Sequence, residues 1–164
     1  QSLDVSFNHH NINYDQLRKI AIEKTAPLIA MPMMGMFQCK ELTEDECLAL
    51  KEISNELGLA YQYLNDIENI VGCEQEASSD LLKGRPNLMA IKILKNLSNA
   101  EKKIIIDEPM KLGNLISRDD FEGSRDEISK ILINAMSNIH RLPVIIQPVI
   151  ESLKDEINKR LRLL

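Results

Sequence analysis

The side chains best suited to chemistry lie within residues 58–90. Gln62, Asn65, Asp66 and Asn69 are separated by three or four residues, which places them on one face of a helix. We call these four residues the polar stripe. They offer oxygen ligands, one of them anionic, of the kind that hold hard divalent cations in proteins. The spacing therefore predicts cation binding by the polar stripe, and the alternative is a solvated helix face.

A basic segment, Lys83-Gly84-Arg85-Pro86, follows the polar stripe. Because Mg²⁺ is commonly held by a few carboxylates together with the phosphates of a substrate, this neighbourhood indicates a phosphate-rich ligand. Lys83 and Arg85 flank a flexible glycine, as expected of a loop that closes over an anion. A solvated basic loop would explain the same residues.

A second candidate segment, Lys24-Thr25-Ala26-Pro27, lies inside the first predicted helix. Pro27 has no N–H to donate to the Glu23 carbonyl, so a kink is expected beside Lys24 and Thr25. Polar side chains at a kink can face a cavity. Residues 31–37 then contain four methionines, which we interpret as adaptable core filling that could also form the wall of an apolar pocket.

The elements that would position these residues are helices. The sequence has six Gly, six Pro and no Trp, and alternating strand patterns are almost absent. Thr43 and Glu46 have the spacing of a capping box, and Pro86 is expected to leave a helix starting near Asn87. We predict a single all-α domain over residues 1–164, with helices near 13–37, 43–71, 81–97, 99–112, 119–141 and 143–163. A long second helix with inward polar side chains suits a bundle with its site in the core.

The composition argues against several classes of protein. A net charge of −5, with no basic run interleaved with aromatics, argues against a nucleic-acid partner. Cys39, Cys47 and Cys73 are odd in number and lack CxxC spacing, which indicates reduced thiols and a cytoplasmic location. No apolar run approaches the roughly 18 residues that a membrane span needs, and no signal peptide is visible.

With these segments placed, the chain resembles the trans-isoprenyl diphosphate synthases (polyprenyl synthetases). Four motifs between Gln1 and about Met89 carry the resemblance in the family's order. Gln1-Ser-Leu-Asp4 is similar to the end of the Gly-Gln-x-x-Asp segment, and Lys24-Thr25-Ala26 to the Lys-Thr-(Ala/Gly) motif. The segment 58–69 resembles the second aspartate-rich motif, Gly-x-x-Phe-Gln-x-x-Asp-Asp-x-x-Asp, and 79–85 the following Asp-x-x-x-Gly-Lys.

The resemblance implies a helical bundle of the isoprenoid synthase type, with an apolar cavity for the growing chain. It implies Mg²⁺ ions that bridge an allylic diphosphate, whose ionisation gives a cation that isopentenyl diphosphate attacks. By position, Thr25 and Gln62 would join Lys24 as catalytic side chains, and Asn65, Asp66 and Asn69 would be the metal ligands. The resemblance also implies a homodimer and a set of substrate-binding side chains, namely Gln1, Lys24, Lys83 and Arg85.

The chain departs from the family pattern in three ways. The family's first aspartate-rich motif lies upstream of the segment that Gln1 begins, and the 164 residues do not contain it. Asn65 and Asn69 replace two carboxylates, and Arg85 replaces a lysine, which is not neutral at a phosphate site. We therefore interpret the chain as the C-terminal half of a divergent isoprenyl diphosphate synthase. Its other half is expected to be a separate polypeptide, to have been cleaved off, or to lie outside these 164 residues. These residues alone are expected not to ionise an allylic diphosphate.

Three other functions fit parts of this pattern. Degenerate second motifs occur in relatives of ComQ type, which prenylate a tryptophan of a pheromone peptide. A non-catalytic diphosphate-binding subunit would also explain the amides at Asn65 and Asn69. A terpene cyclase fits less well, because Asn69 and Cys73 stand where its later metal ligands would be.

Overall fold

The structure is a computed structural model, and it describes residues 13–36, 42–71, 87–102 and 115–164. Its helices are α1 (Tyr14–Met36), α2 (Glu44–Val71), α3 (Leu88–Asn96), α4 (Arg118–Ser137) and α5 (Gln147–Leu163). A 3₁₀ turn, Ile139–Arg141, separates α4 from α5, and residues 99–102 are helical at the edge of a described segment. The described residues contain no strand, which confirms the predicted all-α fold.

Helix α2 is the central element, and the other helices pack around it. It contacts α1, α3, α4 and α5, and its side chains Leu57, Ala60, Leu64 and Ile67 have 0–1 % of their surface exposed. Burial of such apolar side chains supplies most of the stabilisation of a helical bundle. The apolar face of α2 therefore holds the bundle together, while the polar stripe lies on a different face.

The start of α2 has the predicted capping box. Thr43 Oγ1 accepts from the backbone N–H of Glu46 at 3.2 Å, and the Thr43 N–H donates to Glu46 Oε2 at 2.8 Å. These two bonds satisfy donors that the first helical turn leaves without partners. The end of α2 at Val71 and the bounds of α1 also agree with the prediction to within one residue.

The boundary between α4 and α5 differs from the prediction of helices at 119–141 and 143–163. Helix α4 ends at Ser137, and the chain tightens into i→i+3 bonds, such as Leu142 N–H to Ile139 O at 3.0 Å. Pro143 disfavours a helical conformation in the residue before it, and Leu142 is accordingly extended, with φ −88° and ψ 150°. Helix α5 begins only at Gln147, where Pro148 falls in the first turn, a position that tolerates its missing N–H.

Helix α1 runs continuously through Pro27 and Pro32. Its Met cluster divides between two environments. Met33 is 3 % exposed and belongs to the core, as the core-filling interpretation predicts. Met31 and Met34 are 68 % and 53 % exposed and instead line a groove beside α2. The kink predicted beside Lys24 and Thr25 stays a prediction.

Candidate functional site

Helices α1 and α2 approach each other closely at Gly58. A Cβ atom at Gly58 would lie 2.8 Å from the backbone nitrogen of Ala26 and 3.2 Å from the carbonyl carbon of Thr25. Any side chain larger than hydrogen would therefore push the two helices apart. Gly58, the first residue of the segment 58–69, thus allows α2 to pack against the Lys24-Thr25-Ala26 motif.

This close approach allows a chain of hydrogen bonds between the two motifs. Thr25 Oγ1 donates to Gln62 Oε1 at 3.4 Å, and Gln62 Nε2 donates to Asp66 Oδ1 at 2.8 Å. Thr25 and Asp66 are 6 % and 4 % exposed, so these polar atoms are largely removed from water. Three of the predicted site residues are therefore in contact, on two helices.

Asp66 also fixes the start of α3. Its Oδ2 accepts from the backbone N–H of Leu88 at 2.7 Å, and its carbonyl oxygen accepts from Asn87 Nδ2 at 3.1 Å. Asn87 in turn caps α3 through its Oδ1, which accepts from the Ala90 N–H at 2.8 Å. A carboxylate at a helix N-terminus interacts favourably with the helix dipole. One buried carboxylate thus links α2 to the start of the helix after the basic segment.

Asn65 lies next to Asp66 in sequence but has a different partner. Its Oδ1 accepts from Nη2 of Arg160, on α5, at 2.7 Å. The Arg160 guanidinium also donates through both Nε and Nη2 to the Glu68 carboxylate, and it lies 4.9 Å from the centre of the Tyr61 ring. The hydrogen bond to Glu68 raises the pKa of Arg160, so this side chain is a permanent cation. The structure therefore brings Asn65 against a cation supplied by α5.

The remaining predicted residues are placed as follows. Lys24 is exposed and directly precedes the buried Thr25, and Asn69 is half-buried one helical turn beyond Asn65. Gln1, Lys83 and Arg85, which were predicted to bind the substrate, lie outside the described residues.

A cavity of about 950 Å³ lies along α1 and the first half of α2. Its lining includes Pro27, Met31 and Met34 from α1 and Leu50 from α2, and these side chains make most of its wall apolar. Ser54 also lines it and is 1 % exposed, and its hydroxyl oxygen has no hydrogen-bond partner within the described part of the chain. The cavity is of the size that ligand pockets in proteins commonly have.

The cavity and the hydrogen-bond chain meet at one point. Ala26 lines the cavity, contacts the backbone at Gly58, and directly follows Thr25. The site thus has an apolar side and a polar side, with the α1–α2 contact between them.

A second polar cluster lies on the other side of α2. Glu127 of α4 accepts hydrogen bonds from Tyr14, from Tyr63 at 3.2 Å and from Lys92 at 3.0 Å, so it joins four helices. Burial raises the pKa of both tyrosines. Burial also acts to raise the pKa of Glu127, but the bonds from Tyr14 and Lys92 outweigh it and hold that pKa below its ordinary value. This cluster fixes the helices that carry the site.

Sequence reasoning missed several of these residues. Arg160 is 95 positions from Asn65, and no local spacing connects them. Glu68 could have been predicted as a neighbour of Asn65, because it is three residues further along the same helix. Asn87 was predicted as a helix start, but its bond to the Asp66 carbonyl was not, because no local spacing connects these two residues.

The oxygens of Asn65 and Asp66, two of the three predicted metal ligands, are engaged with protein groups. Asn65 Oδ1 meets Arg160, and both Asp66 carboxylate oxygens accept protein hydrogen bonds. Among residues 13–36, 42–71, 87–102 and 115–164, no group of three His, Cys, Asp or Glu side chains could hold a metal ion. As arranged, this donor set does not fit a divalent cation, and metal binding by Asn65, Asp66 and Asn69 stays a prediction.

No helix in the described part of the chain is long and apolar enough to cross a membrane.

Comparison with known proteins gives consistent matches. A family model described as polyprenyl synthetase matches residues 1–115. The geranylgeranyl diphosphate synthase of Saccharolobus solfataricus is 24 % identical over 159 residues, which are 88 % of this chain and 48 % of that protein. The short chain isoprenyl diphosphate synthase of Methanocaldococcus jannaschii is 24 % identical over 124 residues, 73 % of this chain and 37 % of that protein. The chain thus spans about half the length, or less, of these curated relatives, and no solved structure matches it.

Proposed function

Because the chain belongs to the polyprenyl synthetase family, we propose that it binds an allylic diphosphate and supports its condensation with isopentenyl diphosphate. The observation that carries this proposal is the hydrogen-bond chain Thr25–Gln62–Asp66, built across the α1–α2 contact beside an apolar cavity. These are residues of two of the motifs through which the sequence resembles isoprenyl diphosphate synthases.

The polar side of the site would bind the diphosphate. Lys24 is an exposed cation next to Thr25, and it would contact the diphosphate oxygens as a point charge. A leaving diphosphate develops negative charge, and preorganised donors and cations stabilise that charge best where water is excluded. Gln1, Lys83 and Arg85 are proposed to add donors from the segments outside the described residues.

Thr25 and Gln62 would stabilise the allylic cation. Thr25 Oγ1 donates its hydrogen to Gln62 Oε1, so the lone pairs of the hydroxyl oxygen would face the electron-poor carbon. Gln62 is held in place by its bond to Asp66, whose own position is fixed by Leu88. The role of Asp66 in this scheme is to orient Gln62 and, through it, Thr25.

The apolar side of the site would bind the isoprenoid chain. The cavity beside Ala26 is lined by Pro27, Met31 and Met34, whose unbranched, polarisable side chains adapt to ligands of different shape. Removal of the hydrocarbon from water would contribute about 25 cal/mol for each Å² of buried apolar surface. The allylic end would then lie near Thr25, where the cavity meets the polar side.

Isoprenyl diphosphate synthases use Mg²⁺ to neutralise the leaving diphosphate, and Mg²⁺ is the proposed cofactor of the complete site. Asn65, Asp66 and Asn69 are its proposed ligands: Asn65 would ligate the ion once its oxygen no longer accepts from Arg160, and Asp66 would support the ion while keeping its bonds to Gln62 and Leu88. A homodimer is the proposed assembly.

Calorimetric titration of the 164-residue chain with Mg²⁺ and geranyl thiodiphosphate, an analogue that resists ionisation, tests the proposal. We expect saturable binding, at least tenfold weakening by Lys24→Gln, and no change with Lys130→Gln, which removes an exposed lysine from α4. Absence of saturable binding, or equal affinities for the two variants, would overturn the proposal.

A second assay separates binding from turnover and identifies the acceptor. The chain is incubated with geranyl diphosphate, isopentenyl diphosphate and Mg²⁺, and release of diphosphate is measured. We expect none, because the first aspartate-rich motif is missing from these residues; release would refute that expectation. In the complete protein, a tryptophan-containing peptide offered together with isopentenyl diphosphate would distinguish a peptide acceptor from the diphosphate.

A further inference from the structure

Ser54 of α2 has a buried hydroxyl for which the described part of the chain provides no hydrogen bond. The residue is 1 % exposed, and among the described residues it is the only side chain with a buried nitrogen or oxygen atom that has no hydrogen-bond partner. Such a hydroxyl destabilises the fold, because it has lost its bonds to water and gained none from the protein. Buried polar groups in folded proteins nearly always have a partner, so the hydroxyl of Ser54 calls for an explanation.

Two serines of α4 show how a helix usually satisfies a buried hydroxyl. Ser124 and Ser129 donate to the carbonyl oxygens four residues before them, at 2.7 and 2.9 Å. The corresponding acceptor for Ser54 is the carbonyl oxygen of Leu50, and Ser54 Oγ makes no bond to it. The hydroxyl of Ser54 is therefore left for a partner that is not part of its own helix.

The cavity along α1 and α2 is where such a partner would bind. Ser54 lines this cavity, whose wall is otherwise mostly apolar. Met31 and Met34 line it too, and because they are exposed and have flexible side chains, they can move aside as a ligand atom approaches the hydroxyl. A polar atom of a ligand would find in Ser54 a partner that has already been removed from water.

The helical spacing gives the distance between Ser54 and the polar side of the site. Ser54, Gly58 and Gln62 follow one another at intervals of four residues on one face of α2. At 1.5 Å per residue, Ser54 lies about 12 Å from Gln62 along the helix axis. An allylic diphosphate with its reacting carbon near Thr25 and Gln62 would therefore bring the far end of its hydrocarbon tail to Ser54.

We propose that the cavity selects an allylic diphosphate whose hydrocarbon tail ends in an oxygen-containing group, and that Ser54 binds this oxygen. This inference rests on the proposed function and names the substrate class of the same site. A hydroxyl is the simplest such group, because two hydroxyls can each donate and accept. An unmodified tail would cover Ser54 and leave its hydroxyl unpaired, and a site built to bind a substrate hydroxyl discriminates against the analogue that lacks it.

Two analogues and one substitution test the inference. Calorimetry with the 164-residue chain and Mg²⁺ compares geranyl thiodiphosphate with ω-hydroxygeranyl thiodiphosphate, which has a hydroxyl on its terminal methyl group. We expect the wild type to prefer the hydroxylated analogue, and Ser54→Ala to prefer geranyl thiodiphosphate, because the added hydroxyl would then be buried without a partner. The ratio of the two affinities is expected to differ at least about tenfold between the two proteins, the effect of one hydrogen bond of ordinary strength.

Ser129→Ala is the matched control. Ser129 is a half-buried serine of α4 that does not line the cavity, and its loss is expected to leave the affinity ratio at the wild-type value. Urea denaturation of Ser54→Ala guards against misfolding. We expect a midpoint no lower than that of the wild type, because the substitution removes an unpaired hydroxyl and alanine favours the helix. A lower midpoint would show that the hydroxyl has a partner within the protein and would overturn the inference.

Equal affinity ratios in the wild type and Ser54→Ala, or the same change with Ser129→Ala, would also overturn the inference. In either case binding of geranyl thiodiphosphate itself, with its dependence on Lys24, would still support the proposed function. Failure of both analogues to bind to the wild type would overturn the proposed function, and this inference with it.

Discussion

Asp66 Oδ2 accepts a hydrogen bond from the backbone N–H of Leu88 at 2.7 Å. One carboxylate, 4 % exposed, therefore serves two purposes. Its Oδ2 atom accepts a hydrogen bond from the first turn of α3. Its Oδ1 atom accepts from Gln62, and this bond holds Gln62 in contact with Thr25. The stability of the bundle and the geometry of the candidate site thus depend on the same side chain, and a change there should be detected in both.

Asp66→Ala is predicted to destabilise the protein and to loosen the start of α3. The Leu88 N–H would lose a charged acceptor in a buried position, at a cost of about 1–3 kcal/mol in the free energy of unfolding. Urea denaturation measures this change. The control is Asp126→Ala, at an exposed position of α4, which should change the free energy of unfolding by less than about 0.5 kcal/mol. Equal effects of the two variants would contradict the structural role assigned to Asp66.

Gly58→Ala is predicted to separate α1 from α2. The added Cβ would lie 2.8 Å from the Ala26 nitrogen, and relief of that overlap should cost about 1–3 kcal/mol of unfolding free energy. The same shift would lengthen the 3.4 Å contact between Thr25 and Gln62 and weaken binding of geranyl thiodiphosphate.

A matched control exists on α4, where a Cβ added to Gly123 would meet nothing within 4 Å. Gly123→Ala should therefore be stabilising, by about 0.5–1 kcal/mol, because alanine favours the helix over glycine. If Gly58→Ala were as stabilising as Gly123→Ala, the close approach of the two helices would be refuted.

Glu127 should make the stability of the protein depend on pH in the acid range. Its folded-state pKa is lowered from the ordinary 4.5, because hydrogen bonds from Tyr14 and Lys92 outweigh the opposite effect of burial. Its contribution is therefore fully present above pH 4.5 and is lost as the pH falls through the lower folded pKa.

Glu127→Gln is predicted to lower the free energy of unfolding by about 2 kcal/mol at neutral pH and by progressively less as the pH falls below 4.5. Denaturation curves at a series of pH values measure the difference. Glu122→Gln, at an exposed position of the same helix, should give only a small change. A Glu127→Gln effect that stayed constant across this range would show that the ionised carboxylate is not what stabilises the cluster.

The sequence predicted the parts of the site that depend on local spacing. The polar stripe and the capping box of Thr43 follow from the helical period, and Thr25 and Gln62 were predicted by motif. The close approach at Gly58 needed the structure, because a glycine inside a helical pattern does not reveal which backbone it faces. The contact between Asn65 and Arg160 also needed it, since tertiary packing alone brings α5 against α2. The extended conformation of Leu142 follows from Pro143, which disfavours a helical conformation in the residue before it. The end of α4 at Ser137 was not predicted from the sequence.

The central claim is that a diphosphate ligand binds where α1 and α2 meet, and hydrogen exchange followed by mass spectrometry locates binding directly. With Mg²⁺ and geranyl thiodiphosphate, we predict slower amide exchange in residues 20–30 and 58–70, no change in residues 118–137, and loss of the slowing in Lys24→Gln. Slowing confined to α4 and α5, or slowing that Lys24→Gln leaves intact, would contradict the account.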